Sequence, residues 1–89
     1  MTIHEQIRTL SSPVRLEILE VLKAGGQMPA SEIITKIEQP VSVPMLSQHL
    51  SKLRLNKLVV STQYEGRPQY KLNEEAITSV LRRLEALGK

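Results

Sequence analysis

The sequence predicts a small, mainly helical domain carrying one β-hairpin, and three observations lead to that class. Apolar residues recur at three- and four-residue spacing through most of the chain, as in Val14/Ile18/Val21/Leu22, Leu46/Leu50/Leu53 and Ile77/Val80/Leu81/Leu84. This is the stripe by which a helix buries one face. A single region departs from it: Val59 to Tyr64 and Gln69 to Leu72 are short β-prone runs separated by Glu65-Gly66-Arg67-Pro68, which reads as a hairpin with a glycine-containing turn. Finally, 13 Leu, 7 Ile and 7 Val with no Phe, Trp or Cys make an aliphatic core suited to a small helical fold.

At 89 residues the chain reads as one domain, 1–89, of a size that buries only about 60 to 65% of its unfolded surface. Association with a second copy would help it. Without cysteine there is no disulfide, thiolate metal site or thiol switch. The N-terminus lacks a cationic and apolar leader, and no apolar run approaches the roughly 20 residues of a membrane span. A soluble, cytoplasmic protein without membrane contact is expected. Hydrolytic or acid–base catalysis needs a nucleophile, a base and an orienting carboxylate within reach. There is no Cys or Asp, and His4 and His49 belong to different helices, so the chain is not expected to be an enzyme or to carry a cofactor.

In chain order, residues 2–10 form a short amphipathic helix with Ile3, Ile7 and Leu10 on one stripe. Ser12 caps a second helix with Pro13 in its first position, and Gly25-Gly26 stops it after Lys23. Leu16 and Leu19 widen its apolar stripe, so neighbours are expected on more than one side. Residues 30–37 form a third helix with Ile33, Ile34 and Ile37 inward, and Pro40 closes the connection that follows.

Residues 42–58 are the centre of the functional reading. On a helix, Leu46, Leu50 and Leu53 fall within about 60° of one another, and Pro44, Gln48, Ser51 and Lys52 take the opposite face, flanked by Met45 and Ser47. Short hydroxyls and an amide can reach base edges, Gln matching adenine in the major groove, while Lys suits bases or phosphate. An amphipathic helix with an ordinary solvated face has the same pattern. The hairpin that follows favours nucleic acid: helix plus basic-tipped hairpin is the signature of a winged helix-turn-helix, with Arg67 at the tip, where it can meet phosphate or a narrow minor groove. Charge agrees, since residues 42 to 72 hold Lys52, Arg54, Lys57, Arg67 and Lys71 against Glu65 alone, within a chain of net charge +3. His49 lies at the helix edge, to donate to phosphate or to pack locally. The two tyrosines read as hairpin packing rather than a base-stacking platform.

Leu10-Ser-Ser-Pro-Val-Arg-Leu-Glu-Ile-Leu19, Ser47-Gln-His-Leu-Ser-Lys-Leu-Arg54, Leu58-Val59 and Glu65-Gly66-Arg67 before Tyr70 together resemble the ArsR/SmtB family of winged-helix transcriptional repressors over residues 5 to 87. The resemblance implies a DNA-binding regulator. Arg15 is similar to the Arg of the family's Pro-x-Arg-Leu segment, with an internal salt bridge or a phosphate contact as its role. Metal-sensing members carry Cys-x-Cys on the third helix, at positions that here are Pro29 and Ser31. Those that bind metal through the last helix use His there, and Glu74, Glu75 and Glu85 have none beside them, so no metal is expected. The connection 38–43 is about two residues longer than the family turn, which bears on the angle of the reading helix. The family's usual glycine after that helix is also absent, leaving Asn56 or Lys57 to adopt the left-handed conformation, Asn with less strain.

The last helix opens on Asn73 as cap, with Glu74 and Glu75 in its first turn. Its stripe of Ile77, Val80, Leu81, Leu84 and Leu87 needs a partner. In the family the first and last helices pair across a two-fold axis, which implies dimerisation through residues 2–10 and 74–87 with Ile3, Ile7, Leu81 and Leu84 in the interface; the alternative is that the helix covers only its own core. The expectation is a homodimer binding double-stranded DNA at an inverted repeat, with Met45, Ser47, Gln48 and Ser51 reading bases and His49, Lys52, Arg54 and Arg67 on the backbone. A protein-docking or DNA-architectural module is the alternative, and no effector can be named.

Overall fold

The computed structural model describes residues 2–88; Met1 and Lys89, the ends of the expected domain, lie outside the described residues. The order of elements is α1 (Ile3–Thr9), α2 (Pro13–Gly25), β1 (Met28–Pro29), α3 (Ala30–Lys36), α4 (Val43–Leu55), β2 (Val59–Tyr64), β3 (Arg67–Leu72) and α5 (Glu74–Leu87). Side-chain caps start four of the five helices. Thr2, Ser12, Ser42 and Asn73 each accept from a backbone N–H three residues on, satisfying donors that a helix start leaves unpaired. Helix α4 starts one residue earlier than its proline suggests: Ser42 is the cap, Val43 the first helical residue and Pro44 the second. Proline fits there equally, because none of the first-turn N–H groups has an intrahelical acceptor. Helix α2 ends where Gly26 turns to φ 78°, ψ −157°, a region that a side chain would strain.

The core is aliphatic. Ile18 and Leu22 of α2, Ile33 of α3 and Leu46, Leu50 and Leu53 of α4 meet Met28, Leu58, Val59 and Val80, all buried. Each such side chain contributes roughly 1.5 to 3 kcal/mol through burial. Helix α2 is central, as its pattern requires, but it is not wrapped as fully as expected: Leu16 remains 44% exposed.

The hairpin belongs to a three-stranded antiparallel sheet of order β1-β3-β2, a strand more than the periodicity indicates. Met28 pairs with Tyr70 and Pro29 with Gln69; a two-residue strand is too short to show alternation in sequence. The turn is also tighter than expected. Glu65 and Gly66 alone form it, with φ 51° and 79°, the left-handed pair that matches the twist of a two-residue hairpin. Arg67 therefore opens β3 opposite Tyr64 and flanks the tip rather than forming it. Pro68 is tolerated inside the strand because it faces Gln63 at a position whose N–H would point away from β2, beyond the end of β1.

Two arrangements fix the ends of α4. At its entry, the Glu17 carboxylate of α2 accepts from the N–H groups of Glu38 and Gln39 at 2.8 and 3.0 Å, and Val41 packs on the core. The longer connection is thus anchored in its middle. At its exit, Lys57 N–H donates to Arg54 O and Leu58 N–H to Leu53 O, the paired bonds of a Schellman end. Lys57, not Asn56, takes the left-handed conformation at φ 59°. Asn56 is occupied otherwise: its Nδ2 donates to Lys52 O and its own carbonyl accepts from Gln6 Nε2. Asn73 compensates for the lysine, since Nδ2 donates to Lys57 O at 2.8 Å while Oδ1 caps α5.

Among the described residues Arg15 makes no internal salt bridge. Nη1 donates to Thr9 O at the end of α1, and Nε to His49 Nδ1 on α4, both at 3.1 Å. The burial of the imidazole and the Arg15 charge beside it push the His49 pKa below its ordinary 6.5.

Relief of the left-handed lysine should show in stability: Lys57→Gly should raise ΔG of unfolding by about 1 kcal/mol, read by urea denaturation without DNA, and an unchanged or lower midpoint would contradict the strain. A second expectation follows from His49. Because its folded pKa lies below the unfolded value, the unfolded chain binds the extra proton, so its contribution is complete above pH 6.5 and is lost as pH falls through the folded pKa. Thermal melts of the wild type and His49→Gln from pH 7.5 downward should therefore converge on acidification, and parallel curves would show that the imidazole is not linked to folding.

Candidate nucleic-acid interface

The three leucines of α4 fix how it is rotated. With Leu46, Leu50 and Leu53 no more than 1% exposed, Ser47, Gln48, Ser51 and Lys52 all lie in solvent, and Met45 is 46% exposed. The structure brings together on one outer face every residue expected there. Their donors and acceptors, an amide, two hydroxyls and an ammonium, are not used in internal bonds within the described residues, and such groups suit base edges and phosphate oxygens. Leu55 shares this face at its C-terminal end and is 65% exposed. Sequence reasoning passed over Leu55, although its bearing on the helix, close to those of Gln48 and Ser51, could have found it. An exposed apolar side chain there fits a thymine methyl.

Of the residues assigned to backbone, Lys52, Arg54 and Arg67 are exposed. Arg54 is turned away from the Gln48–Ser51 arc and shares a shallow depression with Lys57, Val60 and Ser61 beside β2. His49 is half-buried at the helix edge, with Nδ1 taken by Arg15. In the wing, Tyr70 packs on the core as expected. Tyr64 does not: it is 61% exposed, paired across the strands with Arg67. The two-residue turn extends β2 beyond the reach of the core, so the ring stands beside a cation at the tip.

The residues expected in a dimer interface divide into two sets. Ile3 and Ile7 of α1 are half-buried against the chain's own core. Leu81 and Leu84 are 53% and 39% exposed, with Leu87 beyond them at 78%. Helix α5 thus covers its own core only as far as Val80 and leaves the rest of its stripe bare. Between it and α2 runs an apolar groove of about 350 Å³ lined by Leu10, Leu16, Leu19, Ile77 and Leu81 among others. Among the described residues no three His, Cys, Asp or Glu side chains gather as a metal site. No helix there is long and apolar enough to cross a membrane.

Comparison with known proteins meets this geometry. Residues 10–62 match a family described as a helix-turn-helix domain. The arsenical resistance operon repressor of Staphylococcus xylosus is 31% identical over 82 residues, 92% of this chain and 76% of the relative. Among solved structures, an ArsR-like transcriptional regulator from Rhodococcus sp. RHA1 superimposes with a TM-score of 0.80 at 28% identity, over 97% of this chain and 78% of the other. The fold is shared as well by Mb0332 of Mycobacterium bovis, a homodimeric winged helix-turn-helix DNA-binding domain, with a TM-score of 0.75 at 21% identity over 97% and 77% of the two chains. A reading helix with a polar outer face, a basic wing and these likenesses identify the chain as a member of the ArsR family of winged-helix, DNA-binding transcriptional regulators, and not an enzyme.

Proposed function

We propose that this regulator is a repressor that acts as a homodimer on an inverted-repeat operator, its two α4 helices entering successive major grooves about one turn apart. The observation that carries the reading is the outer face of α4, where Ser47, Gln48, Ser51 and Met45 stand free to read bases. Lys52, Arg54, Arg67 and His49 hold the backbone, and Tyr64 joins Arg67 at the wing. Repression is supported by the Staphylococcus xylosus relative, an operon repressor. Dimerisation is supported by the homodimeric relative of the same fold and by the bare leucines of α5. An exposed apolar stripe on so small a domain marks an association surface, and Leu81 and Leu84 meet their copies there with Ile3 and Ile7 beside them. A protein with this task works in the compartment that holds the chromosome, the cytoplasm in a cell without a nucleus.

Selection of bound sequences from random duplex DNA at physiological salt tests the reading. An inverted repeat with half-sites about 10 base pairs apart is expected; no recovered motif, with binding that vanishes as salt rises, would leave an architectural or partner-docking role instead. On the recovered duplex, Gln48→Ala should cost about 1 to 3 kcal/mol and relax the preference at one position, whereas Lys52→Ala should weaken all DNA alike and flatten the salt slope by about one. Leu84→Glu should yield monomers in sedimentation and lower affinity for the two-half-site duplex by at least about tenfold; a variant that stays dimeric would move the interface elsewhere.

A further inference from the structure

Arg15 stands in the first turn of α2, yet its guanidinium joins two other elements through Thr9 O and His49 Nδ1. A guanidinium carries only donors. Nδ1 of His49 must therefore present its lone pair, and the one ring proton of the neutral imidazole sits on Nε2. That atom, on the far side of the ring from Arg15, has no hydrogen-bond partner among the described residues. It is not a buried orphan either, because no side-chain nitrogen or oxygen there is both buried and unpaired. Nε2–H is thus open to solvent. On α4 the residue lies at the helix edge beside Lys52, on the side assigned above to sugar-phosphate.

We propose that Arg15 is a positioning residue for DNA binding: by donating to Nδ1 it fixes His49 as the neutral Nε2–H tautomer, and that N–H donates to a phosphate oxygen at the rim of the groove that α4 enters. This rests on α4 being the reading helix. A neutral donor differs from a lysine in one measurable respect. It adds a hydrogen bond to phosphate without displacing a counterion, so it contributes affinity and leaves the salt slope unchanged.

The test combines nitrogen-15 spectra of the imidazole in the whole protein with binding to the duplex recovered by selection. In the wild type at pH 7.5 the ring proton should reside on Nε2, and in Arg15→Met it should be shared between both nitrogens. His49→Ala and Arg15→Met should each weaken binding about 3- to 10-fold, the scale of one hydrogen bond, at unchanged salt slope. The double variant should bind no more weakly than His49→Ala, since Arg15 acts through the imidazole. A proton on Nδ1 in the wild type, an unaltered spectrum in Arg15→Met, or losses that add in the double variant would each overturn the proposal. Should Arg15→Met not fold, the wild-type spectrum and His49→Ala still decide, because a slope lowered by one in His49→Ala would mean a cationic imidazole. Gln48→Ala measured alongside separates the two failures. Preference retained in Gln48→Ala overturns the reading helix and the phosphate donor with it, whereas preference lost there with no loss in His49→Ala overturns the donor alone.

Discussion

The burial of Leu46, Leu50 and Leu53 is the constraint on which the rest depends. Three leucines on one bearing, each nearly inaccessible, leave α4 a single rotation about its axis. Turning it by one residue, about 100°, would expose them and bring either Ser47, Ser51 and Arg54 or Met45, His49 and Lys52 against an aliphatic core, at a cost of several kcal/mol. The polar face is outward because the apolar one has no alternative. Function in this fold is a by-product of packing: the residues that would read DNA contribute little to stability, and the residues that fix stability aim them.

Rotation alone does not set the tilt of a helix, and the ends of α4 show how that is done. The Glu17 carboxylate holds the connection at Glu38 and Gln39, so a turn longer than the family pattern still delivers Ser42 as cap. At the other end a Schellman bond pattern, closed through Lys57 and Leu58, passes the chain directly into β2. Asn73 binds the strained lysine to the start of α5, and Gln6 reaches Asn56 from α1. Helix α4, the wing and the terminal helix thus share one short stretch of backbone, residues 56–58, which couples α4 and the hairpin to α1 and α5.

Those leucines follow from size. A chain of 89 residues cannot surround α2 on every side, and the opening left between α2 and α5 is lined by the residues that a larger domain would cover, Leu16 and Leu81 among them. Small domains complete their cores by association. Here the unfinished part of the core is the part of α5 beyond Val80, with Leu16 of α2 across the groove, and there apolar pattern and exposure disagree.

Much of this was legible in the sequence. Five helices, the caps Ser12 and Asn73, the glycine stop of α2, the hairpin and the outward set Met45, Ser47, Gln48, Ser51 and Lys52 follow from local rules, because spacing decides which side chains share a face and capping chemistry acts within a turn of its residue. What escaped depended on partners distant in the chain. Two residues at Met28–Pro29 become a strand only because β3 offers an open edge. Lys57 rather than Asn56 enters the left-handed region because Asn56 is drawn to Lys52 and Gln6 and Asn73 bonds the lysine carbonyl. Arg15 finds Thr9 O and His49 rather than a carboxylate, and Tyr64 is exposed because a two-residue turn carries it past the core. The sequence by itself determined which faces exist; the tertiary structure decided what each meets, because burial and hydrogen-bond partners are properties of neighbours in space that no single segment contains.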